Sequence, residues 1–556
     1  LFLKKKQTKK KTMMLDQEEG GEGWWKSWFP FDLSEFQVKA ISAILSGDHT
    51  LVTAHTGSGK TVPGEFAILH FVRHHRKKVI YLSPIKALSN QKYWDFSQKY
   101  PDISFGLLTG DIKINVLADC LIMTTEILMN YLARSSSSSR AEEKKEDRQQ
   151  TFEINLQTEL AAVVIDEVHF INDSYRGGNY EQTIAMLPEH VQLIMLSATL
   201  ENPGKLAAWI ENGRRGGQWS AAAAAPAAQP PPKKVVIAST SHRVVPLKQL
   251  AFLTTLESFY KTQCRGNKAL ETEIREFTDV FHDFEEECTY RRLSTIYKHL
   301  FVDSTRGKSI KNLYSPTRSQ VLNTLFRVLR QEDMLPAICF VFSRKGTETF
   351  ASEITTNLLE DDSKVPYVVA RECEHILRKG LPPGGAAEYM RLPEYTSLVA
   401  LLEKGVAYHH SGMLPVLREI VEFMISKRYV KVLFATESFA IGLDCPIRTA
   451  VFSSLRKFDG DQVRMLETHE YKQMAGRAGR RGMDTVGYVV HCNNLFELPT
   501  WTDYRRILFQ DTSQRLVSKF RLEADPILLL KSMAATAATV AAANDPGIQD
   551  MFERCM

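Results

Sequence analysis

The run LVTA at residues 51–54 leads straight into HTGSGKT and then into the apolar stretch VPGEFAILHF, so strand, glycine-rich loop and helix follow one another without a spacer. A strand that feeds a tight loop and a helix N-terminus belongs to a parallel sheet with crossover helices. The loop then lies at the carboxyl end of the strand, where open α/β sheets bind ligands. Backbone N–H groups and the positive helix end make such a loop a seat for phosphate. Gly57 and Gly59 let the backbone approach closely, with Ala54, His55, Thr56 and Ser58 completing the cradle. Lys60 reaches the β and γ groups of a triphosphate, and Thr61 offers its hydroxyl to magnesium. The strict GxxxxGKT pattern has glycine where this chain has Ala54, a residue still small enough for the loop to close.

The same rhythm recurs at KVIYLSP (78), CLIMTT (120), AAVVIDE (161) and VQLIMLSAT (191). A second series, AICFVFS (337), GVAYHHS (405), VKVLFAT (430), TAVFSS (449) and GYVVHC (487), predicts a second α/β domain. With 556 residues there is room for roughly three or four compact units. The expected divisions are a basic tail over 1–27, a first domain over 28–235, a second over 236–500 and a helical segment over 501–556. Polar residues near 135–150 and an Ala/Pro stretch near 215–233 read as surface insertions, and the charge-rich residues near 253–330 as a helical elaboration of the second domain. The chain begins with Leu1 and is read as part of a longer one.

Hydrophobic residues at 44% and charged residues at 24% exclude a disordered or fibrous protein. The net charge of +5, from 70 basic and 65 acidic residues, is too small to draw a polyanion by itself, so any nucleic-acid surface must come from local placement. No CxxC pair occurs among the cysteines, which read as reduced thiols. No apolar run approaches the ~18 residues of a membrane span. A soluble intracellular protein without a membrane partner is expected, nucleus or cytoplasm left open. The run KKKQTKKK fits a nuclear signal or a phosphate-binding arm as well as a solvated tail, and the last reading is adopted because such runs are common at termini. Trp24, Trp25 and Trp28 are read as packing onto the first domain rather than stacking on bases. His409 and His410, adjacent on a strand, point to opposite faces and are expected to be one core and one surface residue.

DEVH at 166–169 ends an apolar run, so its carboxylates emerge at a strand's carboxyl end. Asp166 suits magnesium, and Glu167 suits orienting or deprotonating a water. With Lys60 and Thr61 they make a nucleoside-triphosphatase site. QMAGRAGRRG at 473–482 places Arg477 and Arg480 three apart, on one face if a helix continues there, as a clamp for a transferring γ-phosphoryl group. Such arginines cannot reach the Lys60 loop from within one domain, so an inter-domain cleft is inferred.

AHTGSGKT, SPIKALSNQK, TGD, TTEIL, DEVH, SATL, FVFSR, HHSGM, FATESFAIGLDCP and QMAGRAGRRG resemble, in order, the motifs of superfamily-two DExH-box helicases. LLEKGVAYHHSGMLPVLREIVEFM, RKFDGDQVRMLETHEYKQMAGRAGRRGMD and RLVSKFRLEAD resemble the Ski-like group. That group includes the superkiller and mRNA-transport exosome helicases and related enzymes of protists and large DNA viruses. The resemblance, over roughly 29–525, implies two tandem RecA-like P-loop domains with an ATP cleft between them and the start of a winged-helix-like segment. It implies ATP and Mg2+ as cofactors. RNA, single-stranded or with a 3′ overhang, is the implied substrate, 3′ to 5′ the implied polarity and an exosome-type decay complex the implied partner.

Carried over by motif, Gln37 reads adenine with Phe31 stacking. His169, Ser197 and Thr199 couple hydrolysis to the second domain, and Gln473 senses the γ-phosphate. Gly442 and Asp444 approach the ribose, where GLDCP replaces the usual GxNMP. Pro84, Lys86, Thr109, Gly110, Thr125, Arg344, Ser411, Gly412 and Thr436 are the expected strand contacts, to phosphate and sugar rather than bases. A DNA helicase with the same motor, and a remodelling scaffold with weak ATPase, remain alternatives at this stage.

Overall fold

The computed structural model describes residues 24–55, 57–110, 112–136, 154–173, 176–215, 233–240, 243–301, 316–359, 365–380, 385–440, 447–480 and 483–510. The basic run, both surface insertions and the winged-helix-like sequence from 511 on lie outside them, as do Thr56, Gly442 and Asp444.

Every run of both series becomes a strand. The first sheet has eight: β1 (His49–Ala54), β2 (Lys78–Ser83), β3 (Phe105–Leu108), β4 (Lys113–Ile114), β5 (Cys120–Thr124), β6 (Leu160–Ile165), β7 (Gln192–Ser197) and β8 (Val235–Thr240). Their order is β4-β3-β5-β2-β6-β7-β1-β8, parallel throughout except for the β3–β4 pair. Side chains alternate between faces, so one run of apolar residues feeds two cores. Leu51, Ile80, Leu82 and Val163 face one cluster, while Val52, Val79, Tyr81 and Val164 face the other. Trp25 and Trp28 belong to the second of these. Trp25 is buried edge-on against Phe66, and Trp28 tilts over Phe66 and stacks on His74. The tail expected over 1–27 therefore gives way to packed structure by Trp25.

The second sheet has seven strands: β9 (Leu247–Phe252), β10 (Phe281–Asp283), β11 (Ala337–Phe340), β12 (Val406–His409), β13 (Val432–Ala435), β14 (Thr449–Phe452) and β17 (Gly487–Cys492), in the order β10-β9-β17-β14-β11-β13-β12. Only β10 runs antiparallel to its neighbour. A separate hairpin of β15 (Arg456–Phe458) and β16 (Val463–Met465) follows β14 and exposes the cross-strand pair Phe458 and Val463. The fold is thus two successive α/β units, each on its own parallel sheet.

Two expected boundaries shift, and one expected elaboration proves part of the core. β8 pairs with β1 along its whole length, so the first unit runs to Thr240 rather than 235. The strand was hard to see because it follows the Ala/Pro stretch and is only partly buried. The charge-rich 253–330 region is not peripheral. Its β10 extends the sheet, and its helix Arg318–Gln331, closed at the start by a Thr317/Gln320 capping box, buries Leu322, Leu325, Phe326 and Leu329 completely. The helix Trp501–Phe509, assigned to the last segment, inserts Tyr504 into the second core edge-on to Phe284 at 4.7 Å. Both His409 and His410 are buried, because helices cover both faces: Glu422 of the helix Pro415–Ser426 meets His409 Nε2 at 3.0 Å, and Glu348 of the helix Arg344–Ser352 meets His410 Nε2 at 2.9 Å. No described helix is long and apolar enough to cross a membrane.

Phe66 carries the seat of the N-terminal segment, being fully buried and in contact with Trp25, Trp28 and His70. Phe66→Ala is expected to lower the stability of the first unit by about 3–5 kcal/mol, read as an earlier unfolding transition in urea with Trp fluorescence as probe. An unchanged midpoint would refute this packing role.

Candidate functional site

The strand order sorts the motifs. β6, β7 and β1 are neighbours, and their carboxyl ends carry DEVH, SAT and the glycine-rich loop. β3, β5 and β2 are also neighbours, and theirs carry TGD, TTE and SPIK. One edge of the sheet is thus divided into two contiguous blocks. In the second unit, β11, β13 and β12 are likewise adjacent and end in Arg344, Thr436 and Ser411.

Ala54 stays in the strand, fully buried and in register with Thr240, which explains why a glycine is dispensable there. The turn comes later, at Gly57 and Gly59 with φ of 81° and 87°, a region that side chains disfavour. Ser58 N and Oγ both donate to the His55 carbonyl. Thr61 caps the helix Val62–Leu69, with Pro63 in its first turn where a missing N–H costs nothing. Gln37 is fully buried. Its Nε2 donates to the Gly59 carbonyl at 2.9 Å and its Oε1 accepts from Ser34 N at 2.9 Å, so in this structure the amide holds the loop. Phe31 is exposed beside Phe29.

Lys60 Nζ meets Glu167 Oε2 at 2.6 Å with both side chains nearly buried. Burial alone would raise the Glu167 carboxyl, but Lys60 outweighs it, with His169 and Arg477 adding to the pull, and the carboxyl lies well below the usual range. Glu167 also adopts the left-handed conformation, φ 53° and ψ 49°, with its N–H held by Asp166 Oδ1 at 3.0 Å. Asp166 is raised by burial and by the Glu167 charge, against the pull of Lys92 and Lys60. Its Oδ2 accepts from the buried Tyr81 hydroxyl at 2.6 Å. An added cation would relieve that buried charge. No group of three or more His, Cys, Asp or Glu able to hold an ion exists among the described residues, so an ion beside Asp166 and half-buried Thr61 would draw most ligands from phosphate and water, as Mg2+ usually does.

His169 Nδ1 lies 3.4 Å from both Glu167 Oε2 and Ala198 N. Burial lowers the imidazole to about 4 despite the opposing pull of Glu167. At neutral pH the imidazole is uncharged, and with its proton on Nε2 the Nδ1 atom accepts from the Ala198 N–H and ties DEVH to SATL. Ser197 Oγ is buried without a partner in the structure, and Thr199 is half-buried.

The second unit reaches this site. Arg477 acts on Glu167 and His469 acts on His169. Gln473 is half-buried on the helix Thr468–Ala475. That helix ends at Ala475, so Arg477 and Arg480 do not share a helical face; Gly476 starts a turn that separates them. Arg480 is engaged elsewhere: its Nε and Nη2 donate to the two Asp484 carboxylate oxygens at 2.7 and 2.6 Å. It lines a cavity of about 250 Å³ with Asp333, Arg428 and Arg448, at the amino-terminal ends of β11, β13 and β14. Of the pair, only Arg477 acts on Glu167 here.

Of the expected strand contacts, Lys86, Gly110, Arg344, Ser411 and Gly412 are exposed and Thr436 is half-buried. Pro84, Thr109 and Thr125 are buried. Thr109 Oγ1 accepts from Ile112 N at 3.1 Å, and the Pro84 carbonyl accepts from Arg176. Their side chains shape the edge rather than face it. Arg176, Tyr81 and Arg243 escaped the sequence reading. Tyr81 could have been suspected as a polar tip inside an otherwise apolar strand; the other two lie in segments without local pattern.

Residues 34–206 match the family model described as "DEAD/DEAH box helicase". The chain is similar to the antiviral helicase SKI2 of Saccharomyces cerevisiae, 32% identical over 548 residues that cover 92% of this chain and 38% of that protein. Against superkiller complex protein 2 of Mus musculus the identity is 37% over 504 residues, 90% of this chain and 36% of the relative. Against the exosome RNA helicase MTR4 of Homo sapiens it is 33% over 465 residues, 83% and 38%. The chain thus spans little more than a third of the length of these curated relatives.

His169 supplies a pH test. Between 6.5 and about 4 the unfolded chain binds a proton that the folded site refuses, so stability falls as pH falls through that window. His169→Gln is expected to flatten the decline in urea midpoint by an amount worth up to about 3 kcal/mol, with His70 and His491, shifted the same way, leaving a residual slope. Parallel curves for the two proteins would remove His169 from this role.

Proposed function

The chain belongs to the superfamily-two DExH-box helicases, within the Ski-like group, and from that premise we propose that it couples ATP hydrolysis to 3′–5′ movement along RNA and its unwinding, in RNA processing or decay. The observation that carries the reading is the convergence of Lys60 and Glu167 from one sheet with Arg477 from the other. An arriving γ-phosphate takes Lys60 from Glu167, and the released carboxylate orients the attacking water. Asp166 and Thr61 hold Mg2+, which neutralises phosphate charge when bound. Arg477 stabilises charge that develops on the transferring group, and because it comes from the second unit, hydrolysis is tied to closure of the two.

RNA lies across the other block of the first sheet's edge and the β11–β13–β12 edge of the second, held by Lys86, Arg344 and the backbone at Gly110, Ser411 and Gly412. Such contacts read the backbone rather than the bases, so affinity falls as salt rises. Relatives named as exosome and superkiller-complex helicases support a decay complex as the partner.

Glu167→Gln is expected to keep ATP and strand affinity while turnover drops by more than about a hundredfold, whereas Lys60→Ala loses nucleotide affinity as well. Turnover at the wild-type rate in Glu167→Gln would overturn the catalytic assignment. ATPase rates with RNA, with single-stranded DNA and without polynucleotide, at one salt concentration, test the substrate: RNA is expected to stimulate most. Equal stimulation by DNA defeats the RNA-specific reading, and no stimulation by either defeats the motor.

A further inference from the structure

Residues 241–246 join the last strand of the first sheet to the first strand of the second. Within them, Arg243 Nε donates to the Val245 carbonyl at 2.7 Å, which folds the side chain back on its own segment. Its Nη2 then donates to the carbonyls of Gly476 at 3.1 Å and Ala478 at 2.6 Å. Those two carbonyls bracket Arg477. The Arg243 side chain is half-buried, with no carboxylate offsetting its desolvation among the described residues, so three backbone carbonyls take the place of water around it.

The surrounding backbone is equally close. Gly479 has φ of 87°, and a Cβ there would sit 2.7 Å from Val245 Cγ1. Gly487 N donates to the Pro246 carbonyl at 2.9 Å, and a Cβ on Gly487 would come within 2.7 Å of Ala478 C and Gly479 N. A junction that needed only packing would be served by an apolar side chain without the cost of burying a charge. What a guanidinium adds is a planar fork, whose Nε holds the connector at Val245 while Nη2 spans the Gly476 and Ala478 carbonyls.

We propose that Arg243 is a positioning residue for Arg477: the covalent tie between the two sheets itself holds the turn that brings Arg477 to Glu167. This rests on the proposed ATPase reading of the site and adds a route for coupling. β8 is hydrogen-bonded along β1 up to the Ala54–Thr240 pair, at the root of the phosphate loop. A continuous circuit therefore runs from the loop through β1, β8, Arg243 and the 476–478 turn to Arg477, and closes through Glu167 and Lys60 on the loop again.

The test uses the full chain with Arg243→Ala, Arg243→Lys and Arg243→Gln, assayed for ATP hydrolysis with saturating RNA and for affinity to a fluorescent ATP analogue. In Arg243→Ala, kcat is expected to fall about ten- to hundredfold with KM and analogue affinity within about twofold. Lysine keeps the charge but not the fork, so it restores only part of kcat. If Arg243→Ala proves unfolded by circular dichroism, Arg243→Lys and Arg243→Gln decide at a temperature where both are folded. A kcat within about twofold of wild type in every folded variant overturns the proposal, and so does a rise in KM with kcat unchanged. A wild type that hydrolyses no ATP, indistinguishable from Lys60→Ala, removes the ATPase reading and this inference with it.

Discussion

A buried lysine and a buried carboxylate at 2.6 Å hold the site in its present shape. Neither charge is tenable alone at that depth, and removing one partner of such a pair typically costs several kcal/mol. The pair also sustains a second anomaly. Glu167 has a left-handed backbone, which costs a non-glycine residue of order 1–3 kcal/mol and persists only where its surroundings over-determine it. Here Lys60 pulls on the side chain while Asp166 holds the N–H. Strain and charge therefore sit on the same residue, the one that the second unit addresses through Arg477.

Around that pair the polar groups are wired between motifs rather than within them. Gln37 ties the helix Glu35–Leu45 to the phosphate loop, Tyr81 ties β2 to Asp166, and Arg176 ties the Pro84 carbonyl to the turn that follows DEVH. Each links a strand end to its neighbour across a distance that sequence proximity does not reveal. The site behaves as one network in which deletion of any member leaves another buried group unsatisfied.

The strands that carry chemistry were legible because parallel strands buried on both faces read as unbroken apolar runs, and all ten such runs became strands. The loop and carboxylates were legible because their residue types follow from phosphate chemistry. What escaped was tertiary. β8 lacks a strong pattern because it is only partly buried, and Arg243 sits in a connector whose meaning appears only when the 476–478 turn folds onto it. His409 and His410 do point to opposite faces, but neither is a surface residue because the edge strand is covered on both sides. The arginine spacing suggested a helix that Gly476 ends one residue too early, and Arg480 turns instead to Asp484, four residues beyond it.

The division of the first sheet's carboxyl edge into β6-β7-β1 and β3-β5-β2 has an evolutionary corollary. Loops at non-adjacent strand ends share few side-chain contacts, and substitutions that share no contacts combine nearly additively. On the proposed function, the three ends assigned to polymer can therefore drift, lengthen or change charge while the three assigned to nucleotide stay fixed. Two places lie on the frontier, β2, beside β6 and sending Tyr81 to Asp166, and the β5 end, where Glu126 pairs with Arg176, and a lineage that retunes its polymer grip has those two to keep still.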